Sequence, residues 1–347
     1  MSFSLAAAVK GLVAVAATVV VTAGCSLAHT NAIAPRAAAP AAPYTLIQEP
    51  DAGMTPVMDL IDEATESVGL VIYGLADDAA VKKLIAARKR GLAVQVLLNS
   101  AYHGRATNTA AYSALRAGGV DVKWASDSVI VHQKTLIVDK RIAAVGTGNL
   151  MAHYYPTGRD AWIIDAVAQD VSAIATTFDE DFEAADSNVP PAAITGEHLL
   201  WSPGARPSLL HHIDSATRSV DITAEELSDQ ATISEIDRVA RRGVACRMVL
   251  TDNPQWARAI GELTAAGCSV HLLPADPQAL YMHEKSILVD GTTLAIGSTN
   301  LTTASLQYNR ELTLQLDTTI APQIISAVAS TFDHDYQLAP PAASSTY

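Results

Sequence analysis

The stretch SVGLVIYGLADDAAVKKLIAARKRGLAVQVLLN, Ser67 to Asn99, aligns without a gap with SVDITAEELSDQATISEIDRVARRGVACRMVLT, Ser219 to Thr251. The match continues downstream: LRAGGVDVKW pairs with LTAAGCSVHL, and TFDEDF with TFDHDY. A chain that repeats itself at this length is built from two copies of one supersecondary unit. The copies run from 55 to 186 and from 205 to 337, joined by a linker at 187–204 marked by Pro190, Pro191 and Pro203. Each copy reads as strand, amphipathic helix, strand, helix, strand, then two further strands. Val81, Leu84, Ile85 and Arg88 fall at helical spacing and predict the buried face of the first such helix. Helices alternating with apolar strands predict an α/β fold with mostly parallel sheets, the copies packed about a pseudo-twofold axis.

The most informative repeated segment is HQKTLIVDKRIAAVGTGN, His132 to Asn149, which returns as HEKSILVDGTTLAIGSTN, His283 to Asn300. In a strand, residues two apart share a face, so His132 lies with Lys134 and His283 with Lys285. Asp139 and Asp290 end their strands at hairpin-like turns, so each is either a site residue or a turn former. Small residues then precede Asn149 and Asn300, where the backbone can approach a ligand and an amide can donate. Asp160 follows His132 by 28 residues and Glu311 follows His283 by 28, each just after an arginine. A carboxylate on one imidazole nitrogen would fix the tautomer and leave the other nitrogen facing the site. Two histidines, two lysines and two asparagines brought together suit a phosphodiester. Cations and amides stabilise the nonbridging oxygens, one histidine attacks phosphorus, and the other protonates the leaving alcohol.

The doubled H-x-K-x4-D-x6-G-[ST]-x-N pattern with its trailing carboxylates resembles the phospholipase D superfamily, over nearly the whole chain after the first segment. The resemblance implies a tandem phospholipase D-like α/β sandwich. It implies His132 as nucleophile and His283 as acid, with Lys134, Lys285, Asn149 and Asn300 on phosphate. Thr147 stands where the family more often has serine and keeps the hydroxyl. No CxxC, HExxH or acidic calcium loop occurs, so neither metal nor cofactor is expected. His103, His153, His211, His212 and His334 carry no such pattern. Arg159 and Arg310 pair with nearby acids or reach the phosphate. Tyr154, Tyr155 and Trp162 either line a lipid entrance or simply pack.

The formal charge of −13 argues against a nonspecific nucleic-acid binder, so no nucleic-acid partner is expected. Residues 1–24 have one cation, Lys10, then an apolar run and small residues, the layout of an export signal. The following TAGC resembles a lipoprotein processing site at Cys25, against simple secretion with cleavage downstream. Residues 25–54 read as a tether and 338–347 as a disordered tail. Cys246 and Cys268 occupy the positions of Val94 and Val120 in the other copy. They either bridge neighbouring strands or are two buried small residues. The expected protein is an exported phospholipase D-type phosphodiesterase, lipid-anchored or secreted, hydrolysing or exchanging phospholipid head groups at a membrane surface as a two-halved monomer. A cardiolipin synthase-like phosphatidyltransferase, an endonuclease and an idle envelope lipoprotein follow in that order.

Overall fold

Each copy forms a seven-stranded sheet, and the two sheets have the same strand order. The computed structural model describes residues 42–276 and 278–342, so the expected signal segment and Cys25 lie outside the described residues. Across the first sheet the order is Tyr44–Gln48, Ala161–Asp165, Ile142–Gly146, Lys134–Val138, Ser67–Ile72, Ala93–Leu98, Asp121–Trp124. Across the second it is Leu199–Ser202, Glu311–Asp317, Thr293–Gly297, Ser286–Val289, Ser219–Ala224, Ala245–Thr251, Ser269–Leu273. The protein is α/β with two tandem halves, as expected.

The sheets are mixed rather than mostly parallel. Only the pairings that follow a helical crossover, such as Ser67–Ile72 with Ala93–Leu98 and Ala93–Leu98 with Asp121–Trp124, are parallel. The rest are antiparallel: the motif strands run against Ser67–Ile72 and Ser219–Ala224, then double back through two-residue turns, Asp139–Lys140 and Asp290–Gly291. All four of these residues have positive φ, the geometry of a tight hairpin whose twist matches the flanking strands.

Two expected boundaries move. The tether 25–54 contains the strand Tyr44–Gln48, paired along Ala161–Asp165. The linker 187–204 contains Leu199–Ser202, paired along Glu311–Asp317. Both strands cover an otherwise open sheet edge. Their shortness and the nearby prolines hid them in the sequence. The tail also starts later than expected, since the Ala342 N–H still donates to the Val270 carbonyl at 2.8 Å.

The helix Asp78–Lys89 is capped by Asp77, whose carboxylate accepts from the Ala79 and Ala80 N–H groups. Its buried face is Ala80, Val81, Leu84 and Ala87. Ile85 sits at the margin of that face, and Arg88 is exposed where a buried position was expected. Asp229 caps the equivalent helix, Gln230–Arg241. These helices and their neighbours cover the outer face of each sheet. A third apolar core lies between the sheets. There Val71, Ile137 and Ile163 of one half and Leu288, Ile296 and Leu312 of the other meet around Ile174, Phe178, Ile325 and Val328. The last four belong to the helices Ala168–Glu183 and Pro322–Leu338, so each half contributes one helix to the shared layer.

Cys246 and Cys268 form a disulfide across the adjacent strands Ala245–Thr251 and Ser269–Leu273, the first of the two alternatives. No helix among the described residues is long and apolar enough to cross a membrane.

Candidate active site

The two halves are joined at the backbone immediately before each motif. The His132 N–H donates to the Arg310 carbonyl at 2.9 Å, and the His283 N–H to the Arg159 carbonyl at 3.2 Å. Tyr281–Met282 also runs parallel to Gly158–Arg159. Arg159 and Arg310 directly precede Asp160 and Glu311, so this zipper carries each carboxylate to the histidine of the opposite half. Glu311 Oε2 is 2.9 Å from His132 Nδ1, and Asp160 Oδ1 is 2.8 Å from His283 Nδ1. The spacing of 28 residues had found the right carboxylates. Their exchange between halves is a property of the packing.

The two arginines are structural and follow the same crossed rule. Arg159 grips Asp335 through two bonds of 2.7 and 2.9 Å, and Arg310 grips Asp181 at 2.8 and 2.5 Å. Each guanidinium is thus neutralised by the central helix of the other half. Bidentate geometry of this kind compensates the desolvation of a buried charge.

His132, His283, Asn149, Asn300 and Asp160 line one cavity of about 490 Å³. Lys134, Lys285 and Glu311 are buried, each in contact with the motif. Lys134 donates to the His132 carbonyl at 2.5 Å, and Lys285 donates to that of His283. Burial pushes the Lys134 ammonium down to about 7, with Glu311 opposing the shift and Lys285 adding to it. Burial also lowers His132, against the pull of Glu311. Glu311 and Asp160 are both held below the ordinary carboxylate range. Burial opposes their ionisation, and the facing histidine and a nearby lysine outweigh it in each case.

Small residues make these approaches possible. A Cβ on Gly148 would meet the Asp160 carboxyl at 2.6 Å. The Thr147 hydroxyl donates to Asp160 at 2.6 Å and accepts from the Ala161 N–H at 2.9 Å, so the hydroxyl expected there is in use.

Asp139 and Asp290 do not reach the cavity. Asp139 accepts from the N–H groups of Thr65, Glu66 and Ser67 at 2.7–3.2 Å. Asp290 does the same with Thr217, Arg218 and Ser219. They sit beyond the far end of the motif strand, where a five-residue or four-residue run separates them from the catalytic end. Burial works against both carboxylates. Their hydrogen bonds prevail, and Asp290 is lowered to about 2. Both are therefore anchors of a turn, which corrects their inclusion among the site residues.

Tyr154, Tyr155 and Trp162 all line the cavity. Tyr154 is exposed at its rim, whereas Trp162 is buried against Gly146. Tyr73, Glu49, Glu225, Glu226 and Tyr281 also line it, and the sequence reading had not singled them out. Tyr73 and Glu225 occupy one aligned position, so the mismatch between copies was a signal in plain sight.

The geometry is matched by what the chain resembles. A family described as cardiolipin synthase, phospholipase D-like domain, matches residues 57–184 and again 209–336. The chain belongs to the phospholipase D-like family. It is 28% identical over 323 residues to cardiolipin synthase A of Erwinia tasmaniensis, covering 78% of this chain and 65% of that protein. Against cardiolipin synthase A of Pseudomonas entomophila it is 26% identical over 328 residues, covering 83% and 68%. The chain therefore spans about two thirds of the length of these phospholipase D-like relatives. Phosphatidylserine synthase from Haemophilus influenzae shares the fold with a TM-score of 0.67 at 12% identity, over 86% of this chain and 87% of that one. Polyphosphate kinase from Porphyromonas gingivalis does so at 0.60 and 18%, over 82% and 49%. The fold is that of the phospholipase D-like family, with two pseudo-symmetric halves in one chain.

Proposed function

We propose that the protein is a phosphatidyltransferase that moves a phosphatidyl group between alcohols through a covalent phosphohistidine, with hydrolysis as the competing outcome. The observation that carries this reading is the crossed pair of histidines on one cavity, each held at Nδ1 by a carboxylate of the other half. That bond fixes the ring and leaves Nε2 for chemistry. The His132 Nε2 would attack phosphorus while His283 protonates the departing alcohol, and His283 would then deprotonate the incoming one. Lys134, Lys285, Asn149 and Asn300 would stabilise the charge on the nonbridging oxygens. Transfer is preferred over the hydrolysis first expected because the curated relatives carry the name cardiolipin synthase. Water and alcohol compete for the same intermediate, so the two outcomes differ only in the acceptor. The signal-like residues 1–24 and Cys25 support placing this activity outside the cytoplasm, lipid-anchored or secreted. Metabolic labelling with palmitate and a Cys25→Ala control would test the anchor.

The function is tested with purified protein on phosphatidylglycerol vesicles, with and without ethanol, and His132→Ala as control. Cardiolipin or phosphatidylethanol formed only by the unaltered protein supports transfer. Phosphatidic acid alone assigns hydrolysis. No product, with the protein folded, removes phospholipid as the substrate and turns attention to other phosphodiesters.

A further inference from the structure

The aligned position occupied by Tyr73 in one half and Glu225 in the other makes the two motifs chemically unequal. Glu225 Oε2 lies 2.9 Å from Lys285 Nζ and 3.2 Å from His283 Nε2, while Oε1 accepts the Tyr281 hydroxyl at 2.7 Å. Tyr73 instead presents its ring edge-on to His132, with centroids 4.9 Å apart, and lies 5.5 Å from the Lys134 ammonium. We propose that Glu225 is the positioning residue that makes His283 the proton donor and leaves His132 to attack phosphorus. This rests on the phosphodiester reading above.

Ring protonation and the surrounding charge distinguish the two histidines. A neutral imidazole has one N–H donor and one acceptor nitrogen, whereas an imidazolium donates from both. His283 has a carboxylate near each ring nitrogen: Asp160 is hydrogen-bonded at Nδ1, and Glu225 lies 3.2 Å from Nε2 as an ion-pair contact. A proton on Nε2 places a positive ring between two carboxylates. His132 has Glu311 and the Ser298 carbonyl at Nδ1, and its Nε2 makes no hydrogen bond among the described residues. A neutral His132 therefore turns a lone pair to the cavity. The surrounding charges agree: Asp160, Glu225, Lys285 and the Tyr281 hydroxyl gather around His283, while Glu311, Lys134, Lys285 and Tyr73 gather around His132. Glu226, next to Glu225, interacts with Glu311 and Tyr73 as well as with His283, so it faces both rings.

The step balances. As the His132 Nε2–P bond forms and the P–O bond to the leaving alcohol breaks, the departing oxygen takes the electron pair and the proton from His283 Nε2. The incoming hydroxyl then returns its proton to His283 as its oxygen displaces His132 from phosphorus. Glu225 stays ionised throughout, held by Lys285 and Tyr281. Its contact with His283 Nε2 is one of charge, so the Nε2–H has no hydrogen-bond acceptor among the described residues until a leaving oxygen arrives.

The test compares two phosphodiesters, an alkyl ester whose alkoxide needs a proton and a p-nitrophenyl ester whose phenolate barely does. Glu225→Gln is expected to slow the alkyl ester by roughly a hundredfold, within the usual span for general acid catalysis, and the p-nitrophenyl ester at least tenfold less. Tyr73→Glu, which gives His132 a second carboxylate, is expected to slow both esters equally. In parallel, NMR of nitrogen-labelled histidine reads ring protonation directly at neutral pH. It should show His283 doubly protonated in the unaltered protein and singly protonated in Glu225→Gln, with His132 unchanged. Equal losses on both esters, or a His283 ring unaltered by Glu225→Gln, overturn the proposal. An unaltered protein inactive on both esters refutes the phosphodiester reading, and the NMR result then decides the role of Glu225 by itself.

Discussion

The two halves share strand order, motif, turn anchors and crossed arginine pairs, yet they differ where the chemistry is most sensitive. One half sets an aromatic ring beside its histidine and lysine, and the other sets a carboxylate there. A second difference lies away from the site, where a disulfide in one half replaces Val94 and Val120 in the other. The lesson is that a duplicated scaffold can keep its packing symmetric while assigning unequal work. Packing needs the same volumes in both copies. The proposed two-step displacement needs one nucleophile and one proton donor.

The comparison breaks most visibly at the histidines. His132→Ala and His283→Ala should each lower turnover by about 10⁴-fold, but only His283→Ala should accumulate phosphohistidine with a p-nitrophenyl ester, read by mass spectrometry. Removing the crossed carboxylates comes next. Glu311→Gln and Asp160→Asn should cost on the order of 10² to 10⁴ in kcat, because each ring loses the group that fixes its tautomer. Steady-state kinetics on the alkyl and p-nitrophenyl esters should show Glu311→Gln slowing both, and Asp160→Asn chiefly the alkyl ester.

At the interface, Arg310→Met should destabilise the fold by about 3–5 kcal/mol, because it strands the buried Asp181. Asp51→Ala, which removes an exposed partner of Arg159, should cost less than about 1 kcal/mol. Denaturant titration distinguishes them. The turn anchors fall between these two in stability. Asp139→Asn and Asp290→Asn should each lose about 2 kcal/mol with turnover per folded molecule unchanged, since three backbone N–H groups lose a charged acceptor. Both carboxyls are depressed in the folded state. Their contribution is therefore full above the unfolded value near 4 and is lost as pH falls, toward about 2 for Asp290. The variants should lose less stability than the unaltered protein between neutral pH and that acid range.

Much of the fold was legible because it rests on local pattern. Apolar runs, the hairpin turn at Asp290–Gly291 and the duplicated spacing are all properties of short segments. The motif residues were legible for the same reason, except that Asp139 and Asp290 share the motif without sharing the cavity. Spacing records that a residue is required, and a turn anchor is required as strictly as a phosphate ligand. The edge strands Tyr44–Gln48 and Leu199–Ser202 escaped notice because each is short and paired on one side only.

By itself, then, the sequence determined two copies of one α/β unit, the identities of the paired histidines, lysines, asparagines and carboxylates, and the family they resemble. It could do so because a strand or helix face is set by residues a few positions apart. Only the tertiary structure decided that each carboxylate serves the histidine of the other half, that Arg159 and Arg310 are spent on Asp335 and Asp181, and that Glu225 stands against His283 and Lys285. Those contacts join residues tens to hundreds of positions apart, and their partners are selected by the packing of two sheets and two central helices around a shared core.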